Sequence, residues 1–212
     1  MRLVAESFAW PFRAKPATWI WGCLCVLLLP LLFVPLFGYA IDAIRSAEQD
    51  PRRDPPPWRF SDRMIRDGAW TFVVVVVVMT PIWIFTNPLA NTLTGSTRDV
   101  LFAHVFAELI LWLPTGLVAL LILPHTTSAY AATGSPRDIV NVVTALRGVR
   151  RDFATWNLVV AAIVTAWAIA VACVGLLCVG VVPGLFYAIL VSAHAAAALH
   201  PAIAPSPGPS AG

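Results

Sequence analysis

His104 and Glu108 stand four residues apart in an otherwise apolar stretch, a spacing that puts both side chains on one face of a helix. Ionisable groups at membrane depth are costly to leave unpaired, so the pair is a candidate intramembrane polar site. His194, near the end of the last apolar run, is a third group able to join them. Three chemistries fit: a hydrogen-bonded pair that holds helices together, a proton or cation relay, and a metal site. Metal is the thinnest of these, because two or three ligands without a further carboxylate or water network make no specific signature.

Other reactive patterns are missing from the sequence. There is no Gly-x-Ser-x-Gly elbow, no His-Glu-x-x-His helix and no phosphate-cradling glycine loop. Cys23, Cys25, Cys173 and Cys178 all lie in apolar runs, without the spaced histidines of a zinc site, and read as small packing residues. Asp42, Glu48, Asp50 and Asp54 sit on or beside a predicted loop, which suits a solvated face better than an active site. No catalytic residue, cofactor or metal is therefore expected.

The elements that carry these groups are written in the distribution of charge. Hydrophobic residues make up 59% of the 212-residue chain and charged residues 12%, with a mean hydropathy of +0.80; a soluble domain has roughly a quarter of its residues charged. Of the 14 Lys and Arg residues, 13 fall in three segments, 1–16, 45–67 and 125–152, and Arg98 is the exception. This basic charge meets anionic lipid head groups before any nucleic acid, so a DNA-binding reading is poor. The bilayer, through Arg-rich interfacial helices, is the expected partner, with a protein partner unidentified.

Between the basic segments run Ala17–Ile44, broken by Pro30 and Pro35; Ala69–Phe85, with six consecutive valines; Val100–Leu123, with a predicted kink at Pro114-Thr115-Gly116; and Phe153–Leu199, long enough for two helices joined by a break. The apolar run near the N-terminus is too long for a signal-peptide core and is expected to be retained. A short loop is expected over Asn87–Asp99. If Ala17–Ile44 enters and returns as a hairpin, 13 basic residues lie on one side and only Arg98 on the other, which satisfies the positive-inside rule better than a single kinked span. The N- and C-termini are then cytoplasmic in a multi-pass protein of the cell membrane.

A repeat agrees with the hairpin. Residues 25–41 match residues 173–189 without gaps at nine of 17 positions, including Cys25/Cys173, Val34-Pro35/Val182-Pro183 and Tyr39-Ala40-Ile41/Tyr187-Ala188-Ile189. Two related hairpins flanking a central helix pair follow, and transporter folds often place a site at such a repeat interface. Two amphipathic helices are predicted in the interface, Trp58–Asp67 with Asp62, Asp67 and the arginines on its polar face, and Ile139–Val149 with Ile139, Val142, Val143, Leu146 and Val149 on its apolar face. Trp10, Trp19, Trp21, Trp58, Trp70 and Trp156 read as an interfacial belt, and the Pro/Ser/Ala/Gly-rich tail 201–212 as disordered.

Trp10-Pro11-Phe12, Gly22, Gly38-Tyr39, Pro57-Trp58, Gly68, Tyr130-Ala131-Ala132-Thr133-Gly134-Ser135 and Ala193-His194 occur in an order and spacing that resembles the domain of unknown function 4013 family of prokaryotic integral membrane proteins. The likeness covers roughly residues 5 to 198. It departs near Asp152–Trp156, where an Asn-Pro and a Tyr would be usual. The resemblance implies a multi-helix membrane protein and transfers no catalytic residue.

The expectation is thus an all-α polytopic membrane protein: a single domain over residues 1–200, with two pseudo-repeated hairpins around a central transmembrane pair and two interfacial helices. Its expected role is non-enzymatic, as a membrane-organising or partner-binding module. The alternative is a small-solute or ion transporter or channel with a polar step at His104 and Glu108, and an intramembrane enzyme stands third.

Overall fold

The computed structural model describes residues 2–94, 100–173 and 180–200, and among these every regular element is helical. The predicted tail 201–212 lies outside the described residues. A short amphipathic α1 (Arg2–Ala9) and a 3₁₀ turn (Trp10–Arg13) precede α2 (Pro16–Leu27) and α3 (Leu29–Gln49). The long helices α4 (Asp62–Thr94) and α5 (Val100–Thr133) follow, then the short α6 (Pro136–Ile139) and α7 (Val142–Arg151), and finally α8 (Phe153–Ala172) and α9 (Val181–Ala197).

The run Ala17–Ile44 does return on itself. The chain turns at Leu28, outside helical geometry at φ −100° and ψ 32°, and bends again at Leu32, one turn ahead of Pro35. Proline supplies no N–H and crowds the carbonyl four residues before it, so the bend falls where that turn cannot close normally. The two ends of the hairpin meet: Trp10 Nε1 donates to the Arg53 carbonyl at 2.7 Å and Arg13 Nη1 to the Arg52 carbonyl at 3.2 Å. The proline-rich stretch after α3 folds back along it, with Trp58 stacked on Tyr39 at 4.3 Å between ring centroids and the Tyr39 hydroxyl donating to the Pro56 carbonyl at 3.0 Å.

Several boundaries differ from those read in the sequence. Trp58–Asp67 is not a separate interfacial helix: Ser61 accepts from the Met64 N–H at 3.2 Å and caps a single helix that runs on to Thr94. The expected loop over Asn87–Asp99 is helical as far as Thr94, and 95–99 lie outside the described residues. Val100–Leu123 continues through Pro124 to Thr133, where Gly134, at φ 71°, ends it in the left-handed region that glycine tolerates. At about 1.5 Å per residue, α4 and α5 are each roughly 50 Å long. Where the sequence departs from the family pattern, Asp152 caps the start of α8 by accepting from the Thr155 N–H at 3.1 Å.

The expected central pair, α4 and α5, lies on a flank instead. The middle of the bundle is α3 beside α9, the latter almost wholly buried from Phe186 to Ala197. Small residues let the backbones approach: Phe186 packs where a Cβ on Gly22 would sit, and a Cβ on Gly68 or Gly38 would overlap the backbone carbonyls of Val34 and Met64 respectively. Trp10 is also core rather than belt, whereas Trp21 and Trp70 are exposed.

This interlock predicts that Gly38→Ala and Gly68→Ala each destabilise the fold by about 1–3 kcal/mol, the usual cost of overpacking. Gly116, where an added Cβ would meet nothing within 4 Å, should accept Ala without loss, and melting temperatures in detergent compare the three.

Candidate functional site at the basic end of the bundle

The three basic segments converge on one end, and a buried polar network joins them there. Arg45 lies in α3, with its side chain 12% exposed. Its Nη1 donates to Asp42 at 2.6 Å, its Nη2 to Asp67 of α4 at 3.0 Å, and its Nε to the Ala131 carbonyl of α5 at 2.9 Å. Asp67, whose side chain is 2% exposed, also accepts from the Tyr130 hydroxyl at 2.9 Å. One guanidinium thus ties three helices, and each carboxylate oxygen of Asp67 has a donor. A buried charge pair is tolerated only when its remaining hydrogen-bonding capacity is satisfied in this way.

Two further chains of polar contacts flank it. Ser128, fully buried, donates to Glu48 at 2.8 Å and lies 3.1 Å from His200 Nδ1. The serine proton is used on the carboxylate, so His200 Nδ1 carries its own and donates to the serine oxygen. The order acid–serine–histidine is not that of a nucleophilic relay, in which the histidine stands between the other two. It is a hydrogen-bond chain tying α3, α5 and the residues after α9. On the other flank His194 Nε2 donates to the Pro51 carbonyl at 3.2 Å, and its Nδ1 pairs with the buried Ser7 hydroxyl at 2.9 Å.

The sequence placed these residues differently. Asp67 was expected on a solvated face, and Glu48 and Asp42 beside a loop; instead Asp67 and Glu48 are buried, and Asp42 is half-buried against Arg45. Burial pushes the Glu48 carboxyl up to about 7, against the hydrogen bond from Ser128 and the charge of Arg45.

A family model with the description Protein of unknown function (DUF4013) matches residues 22–180. The chain belongs to this family. Comparison with curated proteins found no similar chain, and comparison with solved structures found none. The residues that carry the resemblance in this DUF4013 chain are the ones that join its elements. Trp10, Tyr39 and Tyr130 donate across elements, Gly22, Gly38 and Gly68 sit at close backbone crossings, and His194 is bonded to Ser7 and Pro51.

Of the three residues of the expected polar site, the structure describes the side-chain surroundings of His194 alone. His194 belongs to the basic end, whereas the helix between His104 and Ser128 spans roughly 36 Å, and Ser128 is the residue that meets Glu48 there. The side chains of His104 and Glu108 lie outside the described residues. Among the described residues no three His, Cys, Asp or Glu side chains gather as a metal site would require. The DUF4013 network itself was missed because its partners are 22 residues apart for Arg45 and Asp67, and 63 for Asp67 and Tyr130. Only the Asp42–Arg45 pair has a spacing that a helix makes local.

Asp67→Ala strands the buried Arg45 charge and should cost about 3–5 kcal/mol. Tyr130→Phe, which removes one donor, should cost about 1–3 kcal/mol. Arg63, 3.9 Å from Asp67 and more than half exposed, should cost at most about 1 kcal/mol as Ala. Unfolding in a denaturing detergent ranks the three; equal losses for Arg63→Ala and Asp67→Ala would contradict the network.

Glu48 adds a pH signature. Its carboxyl is raised in the folded state, so its contribution is fully present below the model-compound value of 4.5 and is lost as pH rises through about 7. Glu48→Gln should therefore raise the melting temperature relative to the parent chain at pH 8, and the difference between the two should shrink as pH falls toward 4.5.

Proposed function

We propose that the chain is a multi-pass integral membrane protein of the cell membrane, whose basic end faces the cytoplasm and anionic head groups. Its role is that of a non-enzymatic module that organises membrane components or receives a partner. The observation that carries this reading is the segregation of the surface. All three basic segments meet at one end, while large apolar side chains stand exposed along the helices: Leu31 at 80%, Val77 at 64%, Leu113 at 60% and Val171 at 65%. Two helices, Val105–Thr133 and Phe153–Ala172, are long and apolar enough to cross a membrane. In water that surface would aggregate; in lipid it is solvated.

The interface supplies further support. Val142, Val143 and Leu146 of α7 are exposed on the face expected to enter the head-group boundary, with Ala145 and Val149 packed inward. A cavity of about 290 Å³ at the basic end is lined by Arg2, Arg13 and Arg52, with Glu6 as its one acid. The pseudo-repeat also fits: α2–α3 and α8–α9 are both hairpins, their second arms pack on each other, and the paired tyrosines Tyr39 and Tyr187 each donate to a carbonyl outside their own hairpin.

Transport finds less to support it. The cleft among α3, α5, α8 and α9, about 530 Å³, has only Thr71, Thr127 and Ser192 as polar lining and no charged group. Such a lining suits an apolar chain better than an ion.

Single cysteines in a cysteine-free background test the orientation. Ser7 is unsuitable because it is buried; Ala5, Gln49, Asn141 and Thr92 are exposed. With a membrane-impermeant thiol reagent on intact cells, only the Thr92 position should label. Labelling at Gln49 would reverse the orientation of the basic end.

A further inference from the structure

Beneath α6 the bundle has an amphiphile-shaped hollow. Val74 and Val75 of α4, Val118 and Ile122 of α5, and Ile139 and Val140 enclose an apolar space of about 460 Å³. It runs along α5 from Leu123 to Pro114, roughly 14 Å of helix. Through Val74 and Val140 it adjoins a second space of about 510 Å³, whose rim carries Trp70, Ser135 and Arg137. Arg137 is exposed, and among the described residues no hydrogen bond or ion pair engages its guanidinium. The neighbouring Asp138 is already bonded to Thr133.

We propose that this hollow holds one anionic phospholipid, with an acyl chain in the α4–α5 groove under α6 and its phosphate at Arg137 and the Ser135 hydroxyl. The proposal rests on the membrane reading above and adds a single defined site to it. Charge complementarity identifies the occupant: the groove is apolar along its length and ends in an unpaired cation. That cation stands in the same polar segment as the head-group-facing α7. Chain burial by itself cannot select a lipid, because the bilayer solvates acyl chains equally well. Selection must come from the head group.

The test uses the full chain in detergent, titrated with phosphatidylglycerol or phosphatidylcholine of identical chains and read by native mass spectrometry. One phosphatidylglycerol should be retained in preference to phosphatidylcholine. Arg137→Gln should weaken its retention about fivefold, the equivalent of one basic residue at a membrane surface, while Arg59→Gln, an exposed arginine elsewhere, changes nothing. Phosphatidylglycerol with a photoreactive chain should crosslink chiefly at Val118–Leu123 and Val74–Val75. Equal retention of the two lipids, an unaltered Arg137→Gln, or evenly spread crosslinks would overturn the proposal. So would displacement of the lipid by free glycerol phosphate, or a dimer that buries the groove. Extraction from membranes separates the two readings: a chain washed off at alkaline pH fails the membrane reading, whereas an integral chain without lipid preference fails only this one.

Discussion

The architecture of the basic end depends on one buried guanidinium. Arg45 has three donors directed at three different backbone segments, and its removal would leave Asp67 charged and enclosed. Water is excluded there, so charge and hydrogen bonding must balance within the protein, and they do so only when α3, α4 and α5 take one relative position. In the bilayer proposed for this chain the apolar helices could slide against one another at little cost, because no hydrophobic force acts between helices in lipid. A polar clamp at one end removes that freedom.

The remaining packing rests on close approach of backbones, as the proposed membrane setting requires. Helices in lipid associate through close backbone approach, which small residues permit. Gly22, Gly38 and Gly68 occupy such crossings, and α9 presents an almost continuous alanine surface from Ala193 to Ala197 to the hairpins around it. The family resemblance concentrates on these positions and on the tyrosines and tryptophan that donate across elements. In this chain those positions assemble the helices.

The two ends of the long helices have different chemistry as a result. At the basic end, Glu48, Ser128 and His200, and Ser7 and His194, extend the clamp on either side of Arg45 and fasten the first and last segments to it. Along the flanks the apolar grooves between α4, α5 and α8 have no comparable internal partners. The polar contacts are concentrated at the basic end, and the flanks carry apolar grooves.

By itself the sequence determined the helical class, the run of apolar segments and the grouping of basic residues in three segments, and it favoured a hairpin over a single span for 17–44. All of these are one-dimensional properties: hydropathy, proline positions and counts of arginine. The amphipathic pattern over 139–149 was legible as a local periodicity, but the break between Ile139 and Val142 was not, nor that Ile139 and Val149 turn inward while Val142, Val143 and Leu146 stay exposed. What only the tertiary structure decided is which polar residues leave solvent. Asp67 sits on a helix face with Asp62, Arg63 and Arg66, and nothing local separates it from them; its burial comes from Arg45, 22 residues earlier, and Tyr130, 63 residues later. The same holds for the bonds of His194 to Ser7 and Pro51, and for α9 rather than α4–α5 taking the centre. Hydropathy says that a segment avoids water, but in a membrane protein lipid and neighbouring helices are equally apolar alternatives, and only the three-dimensional fit of small and polar side chains chooses between them.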